Sequence, residues 1–537
     1  MPTQVIQLFL MYNNHDFTLY GGEMKHSKLC AICLVLFAVI IGTDSYTDAC
    51  DVAVVSGRVT TNGRPVIWKN RDCSADWHQE IKYFDAVNSN AGGYLLVYNF
   101  DDIAEYNNGT PVNPSGGINK SGFAVSCTSV YEDFNQIHEA YNINTDLIRQ
   151  STQECRTIDE FEDILLKWKD EKPDKVISGN FVVIDAYGGA CLYEVYTGMN
   201  LALVPTIMFT RCDANTGEIV EYRNGAYTVL VPGTGDEFIG FFNQANNNRY
   251  STLILEDINL TFYGISLGLA DGSTLFLNLF VEYILGGILD MGTPDTISGN
   301  GVTIPINYGE ERKERATEVL TQLASEGRLN YRTVLKEVSE DVIGDQSNHS
   351  TSSEENYSTT YCISRNQTRL GMVVDGVKAG DDPALSVFWC ALGEPSIAVF
   401  APYFAHAEST HYYSWVDGIG IDGKLWNLNA TSMLTRISNR REAYDNLIYD
   451  SNTGTAMSGM DTRLMNKLEL YKAQTWITPL EDFVLDKADA YLDKMRAGNI
   501  DVTAENLKIF SDYCVEYIYK NYNEASTSFF QWQFVEP

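Results

Sequence analysis

Cys50 separates a leader from the part of this chain that can build a fold. Residues 29–42 form an uncharged apolar run with two lysines shortly before it, and the polar stretch after it ends Thr47-Asp48-Ala49. A basic flank, a short apolar run and a small residue before the cut are typical of a secretory signal, and the run is short for a membrane-spanning helix. We therefore expect residues 1–49 to be a leader and signal peptide that is removed, which leaves Cys50 as the first residue of an exported, periplasmic or extracellular chain.

Two other fates of this leader stay open. An uncleaved leader would act as a membrane anchor, although its length argues against that. A lipoprotein signal would attach a lipid to Cys50, but such signals usually place Leu three residues before the cysteine, where this chain has Thr47. Lipidation would block the amine of Cys50 and would favour a lipid-anchored, non-catalytic surface protein that binds a ligand.

Charge and composition narrow the class of partner. Of the 537 residues, 45% are hydrophobic and 20% are charged, which is typical of a folded globular protein. The formal net charge of −33 argues against nucleic acid and anionic membranes as partners, because both need a basic surface. No convincing linker interrupts residues 50–537, so we expect a single domain there, with no membrane span in the mature chain.

The sequence carries no clear metal or disulfide signal. Its eleven cysteines are widely spaced without a framework pattern, and residues 50–537 contain no CxxC pair. His406 and His411 lie five apart without a zinc-binding arrangement, and no phosphate loop or dinucleotide fingerprint is evident. We therefore expect neither a metal nor an organic cofactor.

The order of strand and helix signals predicts a layered α+β structure. Residues 50–55 and 65–69 are short β-rich runs joined through Thr61-Asn62-Gly63, and further strand signals follow up to residue 196. A capping box that begins at Thr157 opens an amphipathic helix between two of these strands. Helices inserted between hairpins favour largely antiparallel sheets.

Two later segments predict helices. Residues 261–289 are strongly apolar but interrupted by charges, so we expect an inserted and mostly buried helical hairpin. Residues 401–537 complete the strands and then turn helical, and Thr478-Pro479-Leu480-Glu481 has the pattern of a capping box with proline at the first helical position.

A first residue Cys50 would carry a thiol and an α-amine together. A thiol of ordinary pKa is mostly protonated at neutral pH, whereas an α-amine titrates close enough to that pH to act as its base. Asp72 follows one hairpin later, and antiparallel pairing predicts that its carboxylate returns toward the Cys50 amine and orients it.

The opening of the exported chain resembles a known family. Cys50, a strand, a turn with glycine and then Trp68-Lys69-Asn70-Arg71-Asp72 are similar to the opening of the linear amide C–N hydrolases of the N-terminal-nucleophile (Ntn) superfamily. That group includes choloylglycine hydrolases, penicillin V acylases and isopenicillin-N-type acyltransferases. The resemblance implies a four-layer αββα sandwich in which Cys50 is the nucleophile, Asp72 orients its amine and Lys69 takes the basic position.

Three further segments extend the resemblance to about residue 400. Residues 117–125 are similar to a family segment, and the strand they open implies an oxyanion contact from the backbone N–H of Ser129. A segment that ends at Asn246 is similar to one whose final asparagine helps to hold the oxyanion. A third segment begins at Ile363 and is similar to a late family segment that contains an arginine near the active site. The resemblance makes Arg365 our candidate for that arginine and Arg369 its competitor.

The sequence therefore predicts an exported cysteine Ntn hydrolase that cleaves a linear amide C–N bond other than a peptide bond. A small-molecule amide would acylate Cys50, and water or an acceptor amine would take the acyl group. A dipeptidase of the related Cys-initiated family is the alternative within the class, because Cys50-Asp51 fits its opening, but residues 371–380 favour the acylase and acyltransferase branch.

Overall fold

The first two β-rich runs, of which the first begins at Cys50, pair as an antiparallel hairpin. Strand β1 (Cys50–Val55) pairs with β2 (Val66–Asp72), and the register sets Cys50 opposite Arg71. Gly63 lies in the connection with a φ of 71°, a left-handed conformation that glycine adopts without a steric penalty. Every residue of both strands is buried, which is typical of central strands covered on both faces.

The structure is a computed structural model. It describes residues 50–73, 79–85, 91–99, 114–129, 137–172, 177–199, 205–223, 225–245, 296–299, 302–305, 308–343, 356–359, 362–365, 367–411, 448–450, 456–457, 460–461 and 463–533.

Two antiparallel sheets account for most of the described strands, which are numbered along the chain. The first sheet has the strand order β12-β1-β2-β16-β17-β18, and its additional members are β12 (Phe241–Gln244), β16 (Thr368–Asp375), β17 (Val387–Leu392) and β18 (Ala401–Tyr403). The second runs from β11 to β3 in order, through β3 (Gln79–Phe84), β4 (Tyr94–Asn99), β5 (Pro114–Asn119), β6 (Ala124–Ser129), β7 (Ser178–Ile184), β8 (Ala190–Met199), β9 (Pro205–Asp213), β10 (Ile219–Arg223) and β11 (Ala226–Val231).

The remaining described strands are short. They pair as β13 (Thr296–Gly299) with β14 (Val302–Pro305), as β22 (Leu464–Asn466) between β15 (Asn356–Tyr357) and β19 (Tyr449–Asp450), and as β20 (Ala456–Met457) with β21 (Met460–Asp461).

The two large sheets face each other across a hydrophobic core. Alternate residues of the first sheet meet alternate residues of the second, because successive side chains of a strand point to opposite faces. The core between the sheets includes Val52, Val54, Ile67, Ala124, Val182 and Leu192. The opposite face of the second sheet packs in a separate outer cluster with two helices, α1 (Ile137–Glu154) and α2 (Ile158–Glu171). The sequence predicts α2, whereas α1 was not predicted.

Helix α2 begins where the sequence predicts. Thr157 is its N-cap, and the Thr157 side chain accepts a hydrogen bond from the backbone N–H of Glu160 at 3.2 Å. This contact satisfies one of the N–H groups that a helix start leaves unpaired.

Helix α3 (Tyr308–Ser325) packs on the outer side of the first sheet, where the Asn243 amide of β12 donates to the Lys313 carbonyl at 2.8 Å. One turn of helix, α4 (Tyr331–Thr333), follows and continues as a π-helix, Val334–Ser339. The described single turns of 3-10 helix are Gly235–Glu237, Pro383–Leu385, Pro395–Ile397 and Ala405–Ala407.

The C-terminal extension is helical, but its first helix begins earlier than the sequence predicts. Helix α5 (Lys467–Arg496) has Asn466 as its N-cap and carries Pro479 inside it, and α6 (Ala504–Gln533) follows. The capping box predicted at residues 478–481 is therefore wrong. Glu481 instead accepts a hydrogen bond from the backbone N–H of Phe400 at 3.1 Å, so a tertiary contact uses the side chain that the local pattern assigns to a cap.

The α+β class and the antiparallel sheets are confirmed, whereas the apolar segment 261–289 and the signal segment lie outside the described residues. Within the described part of the chain no helix has both the length and the apolar character to cross a membrane. Among the same residues, no disulfide is formed and no group of three His, Cys, Asp or Glu side chains is placed to hold a metal.

Candidate active site

Cys50 is the first described residue and the first residue of a central strand. The residue is only 6% exposed. The alternation of β1 places the Cys50 thiol on the same face as Val52, toward the second sheet. Lys69 and Arg71 share that face, because Lys69 is the register partner of Val52 and Arg71 that of Cys50.

Lys69 connects the two sheets beside this face. Its Nζ donates a hydrogen bond to the carbonyl oxygen of Cys127 in β6. The Cys127 side chain itself lies in the outer cluster with the helices, and burial raises the pKa of its thiol to about 11. Lys69 therefore holds an ammonium group on the thiol's side of the first sheet, at the position that the family resemblance assigns to a basic residue.

Asp72 lies one residue beyond the register partner of Cys50, and its side chain is on the opposite face of the sheet from the thiol. Its carboxylate accepts hydrogen bonds from the Thr368 hydroxyl at 2.6 Å and from Arg365 Nε at 2.8 Å. Both partners are buried. The structure thus brings together two of the predicted site residues, Asp72 and Arg365, through a contact that the sequence did not predict.

Arg312 is a further buried partner of Asp72, and the sequence analysis missed it. The Arg312 side chain is fully buried, and its Nη1 lies 2.9 Å from Asp51 Oδ2 and 2.9 Å from Asp72 Oδ2. It projects from α3, whose sequence Tyr308-Gly-Glu-Glu-Arg312 looks like a charged, solvated surface. Because 240 positions separate Arg312 from Asp72, no local pattern could have identified this contact.

Asp51 is the second carboxylate of this buried cluster, which consists of Asp51, Asp72, Arg312 and Arg365. Burial raises its pKa from 3.8 to about 7, while the charge of Arg312 acts in the opposite direction and that of Asp72 adds to the rise. The site therefore has two opposite faces at the start of β1. One carries the thiol with Lys69 and Arg71, and the other carries two carboxylates held by two guanidinium groups.

Asn70 forms hydrogen bonds to two segments that lie on the carboxylate side of the first sheet. Its amide nitrogen donates to the carbonyls of Ser339, at 2.8 Å, and Ile363, at 3.2 Å. Its amide oxygen accepts from the Ser339 hydroxyl at 2.6 Å and from Trp68 Nε1 at 3.0 Å. Ile363 stands two residues before Arg365, so this network fixes the chain that carries the arginine.

Replacing Asn70 with aspartate should destabilise the protein by about 3–5 kcal/mol at neutral pH, because a buried carboxylate would face two carbonyl oxygens. The deficit in the free energy of unfolding should shrink as pH falls, since a protonated Asp can donate one hydrogen bond. Urea unfolding at several pH values measures both effects. Asn506→Asp, at a half-exposed helix position, is the control, and an equal loss in both variants would contradict the prediction.

Of the two predicted oxyanion residues, the structure describes Ser129 but not Asn246. Ser129 is the last residue of β6 and pairs with Gly179 of β7. Asn246 lies outside the described residues, just after Ala245. The Ala245 carbonyl accepts hydrogen bonds from Thr128 Oγ1 at 2.8 Å and from Asn180 Nδ2 at 3.0 Å, which ties the end of β12 to the second sheet.

A surface cleft of about 510 Å³ lies elsewhere, where the turn between β7 and β8 meets the start of α2. Its lining includes Asp185, Arg211 and Asp213, and none of the predicted site residues. The register of β6 and β7 places this cleft at the Ala124 end of β6, whereas Ser129 is at the other end. The cleft is therefore separate from the candidate site around Cys50.

Comparisons with known proteins give little beyond this geometry. The chain matches no protein-family model and no curated protein sequence. Among solved structures it is similar to a mutant conjugated bile acid hydrolase from Clostridium perfringens, with 13% sequence identity and a TM-score of 0.27. That similarity covers 64% of this chain and 89% of the other.

Proposed function

We propose that the exported chain begins at Cys50 and that it is a cysteine N-terminal-nucleophile hydrolase with a four-layer αββα fold, acting on a linear amide C–N bond. One observation carries the proposal: Asp72, held by two arginines and a threonine, lies next to the register partner of Cys50. A buried carboxylate of this kind is suited to orient the cationic form of a terminal amine.

The proposed first half-reaction acylates Cys50. The α-amine of Cys50 accepts the proton of its own thiol, and the resulting thiolate attacks the amide carbonyl. The tetrahedral oxyanion is stabilised by N–H donors, for which the Ser129 backbone and Asn246 remain our candidates. The protonated amine then gives its proton to the leaving nitrogen, and a thioester forms.

In the second half-reaction, water attacks the thioester and the α-amine acts again as the base. An acceptor amine in place of water would make the same site an acyltransferase. Lys69 adds a fixed positive charge on the thiol's face, which favours the thiolate over the thiol.

The proposal is tested first by intact mass and N-terminal sequencing of the exported protein, followed by a panel of amides. We expect an unmodified Cys50 terminus and hydrolysis of N-acyl amides, with an acyl adduct on Cys50 trapped at acidic pH. Bile acid, phenoxyacetyl, fatty acyl and peptidyl amides cover the acyl groups to screen. Hydrolysis confined to dipeptides would favour the dipeptidase alternative, and a lipidated or internal Cys50 would rule out the mechanism.

A further inference from the structure

Asp51, the residue directly after the proposed nucleophile, is a buried carboxylate that this mechanism does not use. It is 2% exposed and shares a face of the first sheet with Asp72, since its register partner is Asn70. Arg312 Nη1 lies 2.9 Å from Oδ2 of each carboxylate and so joins the two. The other oxygen, Asp51 Oδ1, is buried and accepts no hydrogen bond from any residue that the structure describes.

The charged groups that act on Asp51 lie on α3, on β2 and on the segment before β16. Arg312 on α3 and Arg365 before β16 supply two guanidinium groups, and Asp72 supplies a second carboxylate. Lys69 of β2 acts from the other face of the sheet. These opposing charges do not compensate for burial, because the pKa of Asp51 remains raised to about 7.

The full-length chain has an amide nitrogen at Cys50, whereas a chain cleaved before Cys50 has an amine there. Cleavage would place an ammonium group one residue from the Asp51 carboxylate, in a region that burial keeps poorly solvated. An ammonium that favours the charged form of Asp51 is itself favoured to the same extent, because the coupling between two titrating groups is reciprocal.

We propose that Asp51 is a positioning residue: it holds Arg312 against Asp72 and stabilises the protonated α-amine of Cys50, and it thereby sets the pH range in which that amine acts as a base. The inference rests on the proposed function, because it requires Cys50 at the amino terminus.

The sign of the effect follows from charge. Asp51→Asn removes a negative charge near the amine, so the ammonium form becomes less favourable and the pKa of the amine falls. The amine is then unprotonated at lower pH, and the acidic limb of kcat/KM moves to lower pH by about one unit, a typical shift for one nearby charge. A purely structural role for Asp51 would change activity without moving this limb.

Asp375→Asn provides a matched control. Asp375 is also buried in the first sheet, where it forms an ion pair with Arg64 at 3.1 Å. Its register partner is Val66, at the opposite end of β2 from Asp72. The control variant loses a buried carboxylate from the same sheet and should leave the titration of the Cys50 amine unchanged.

The experiment measures the amine directly as well as through catalysis. After mass analysis has confirmed the terminus, the rate of acetylation of the α-amine is followed against pH in Cys50→Ala protein, where the terminal residue carries no thiol, and the acetylated terminus is identified by peptide mass. The same measurement is made with Asp51→Asn, Asp51→Ser and Asp51→Glu added in turn, and kcat/KM profiles are recorded with Cys50 intact.

We expect both neutral variants to lower the titration midpoint of the amine by about one unit, and Asp51→Glu to keep it near the parent value. A midpoint that is the same in the parent and the neutral variants overturns the inference, whether or not hydrolysis is detected. A confirmed Cys50 terminus without activity on any amide overturns the proposed function alone. A terminus other than Cys50 overturns both.

Discussion

Cys50→Ala should lower kcat for amide hydrolysis by roughly 10⁴-fold or more, because it removes the group that forms the acyl-enzyme. The variant should still fold, since this buried residue, 6% exposed, loses only its sulfur. Single-turnover kinetics on the amide found in the screen, together with intact mass, should show neither product release nor an acyl adduct.

Cys390→Ala is the control for this result. Cys390 is also buried in the first sheet, in β17, and burial alone raises its pKa. It contacts none of the site residues named above in the structure as described, so its substitution should leave kcat and KM close to those of the parent. Residual hydrolysis in Cys50→Ala above a tenth of the parent rate would assign the reaction to another group.

Arg312→Gln should reduce the free energy of unfolding by about 3–5 kcal/mol, because it leaves two buried carboxylates without their shared cation. Arg312, Asp51 and Asp72 are at most 2% exposed, so water cannot replace the lost interaction. Guanidinium unfolding at neutral pH measures the loss. The surface arginine Arg328, with a side chain 47% exposed beside Glu326 and Glu337, should tolerate the same change with little effect.

The Arg312 variant should also show a specific dependence on pH. Without the guanidinium, the pKa of Asp51 in the folded state rises further above about 7, so the folded variant keeps that proton at a pH where the folded parent has released it. The stability deficit relative to the parent therefore grows as pH rises through about 7 and shrinks as pH falls below it. A deficit that is constant from pH 4 to pH 8 would indicate that Arg312 acts through packing and not through charge.

The sequence predicts the local parts of this site well. The β1–β2 hairpin and the Thr157 cap follow from turn residues and capping chemistry. The family resemblance gives Arg365 as a candidate near the site, but it does not predict that Arg365 binds Asp72. Strand alternation could also have shown that Asp72 and the Cys50 thiol point to opposite faces, since they are separated by one register step. That geometry is compatible with an orienting role toward the backbone nitrogen.

The contacts between distant parts of the chain could not be predicted from the sequence, and the reason is physical. Arg312 belongs to a helix with alternating charges, and only tertiary packing buries one of those charges between two carboxylates. The same applies to Glu481, whose local pattern predicts a cap although its carboxylate binds the backbone of Phe400. In both cases a contact across the fold outweighs the local preference.

The strand order of the first sheet also has a consequence for folding kinetics. Strand β1 lies between β12 and β2, and β2 pairs in turn with β16, which begins at Thr368. Such pairings have very high contact order, and loop closure over this separation slows folding. The β1–β2 hairpin is local and can form early, but β2 cannot gain its second neighbour until the chain through Asp375 has been synthesised, so that edge of the hairpin stays unpaired for most of synthesis.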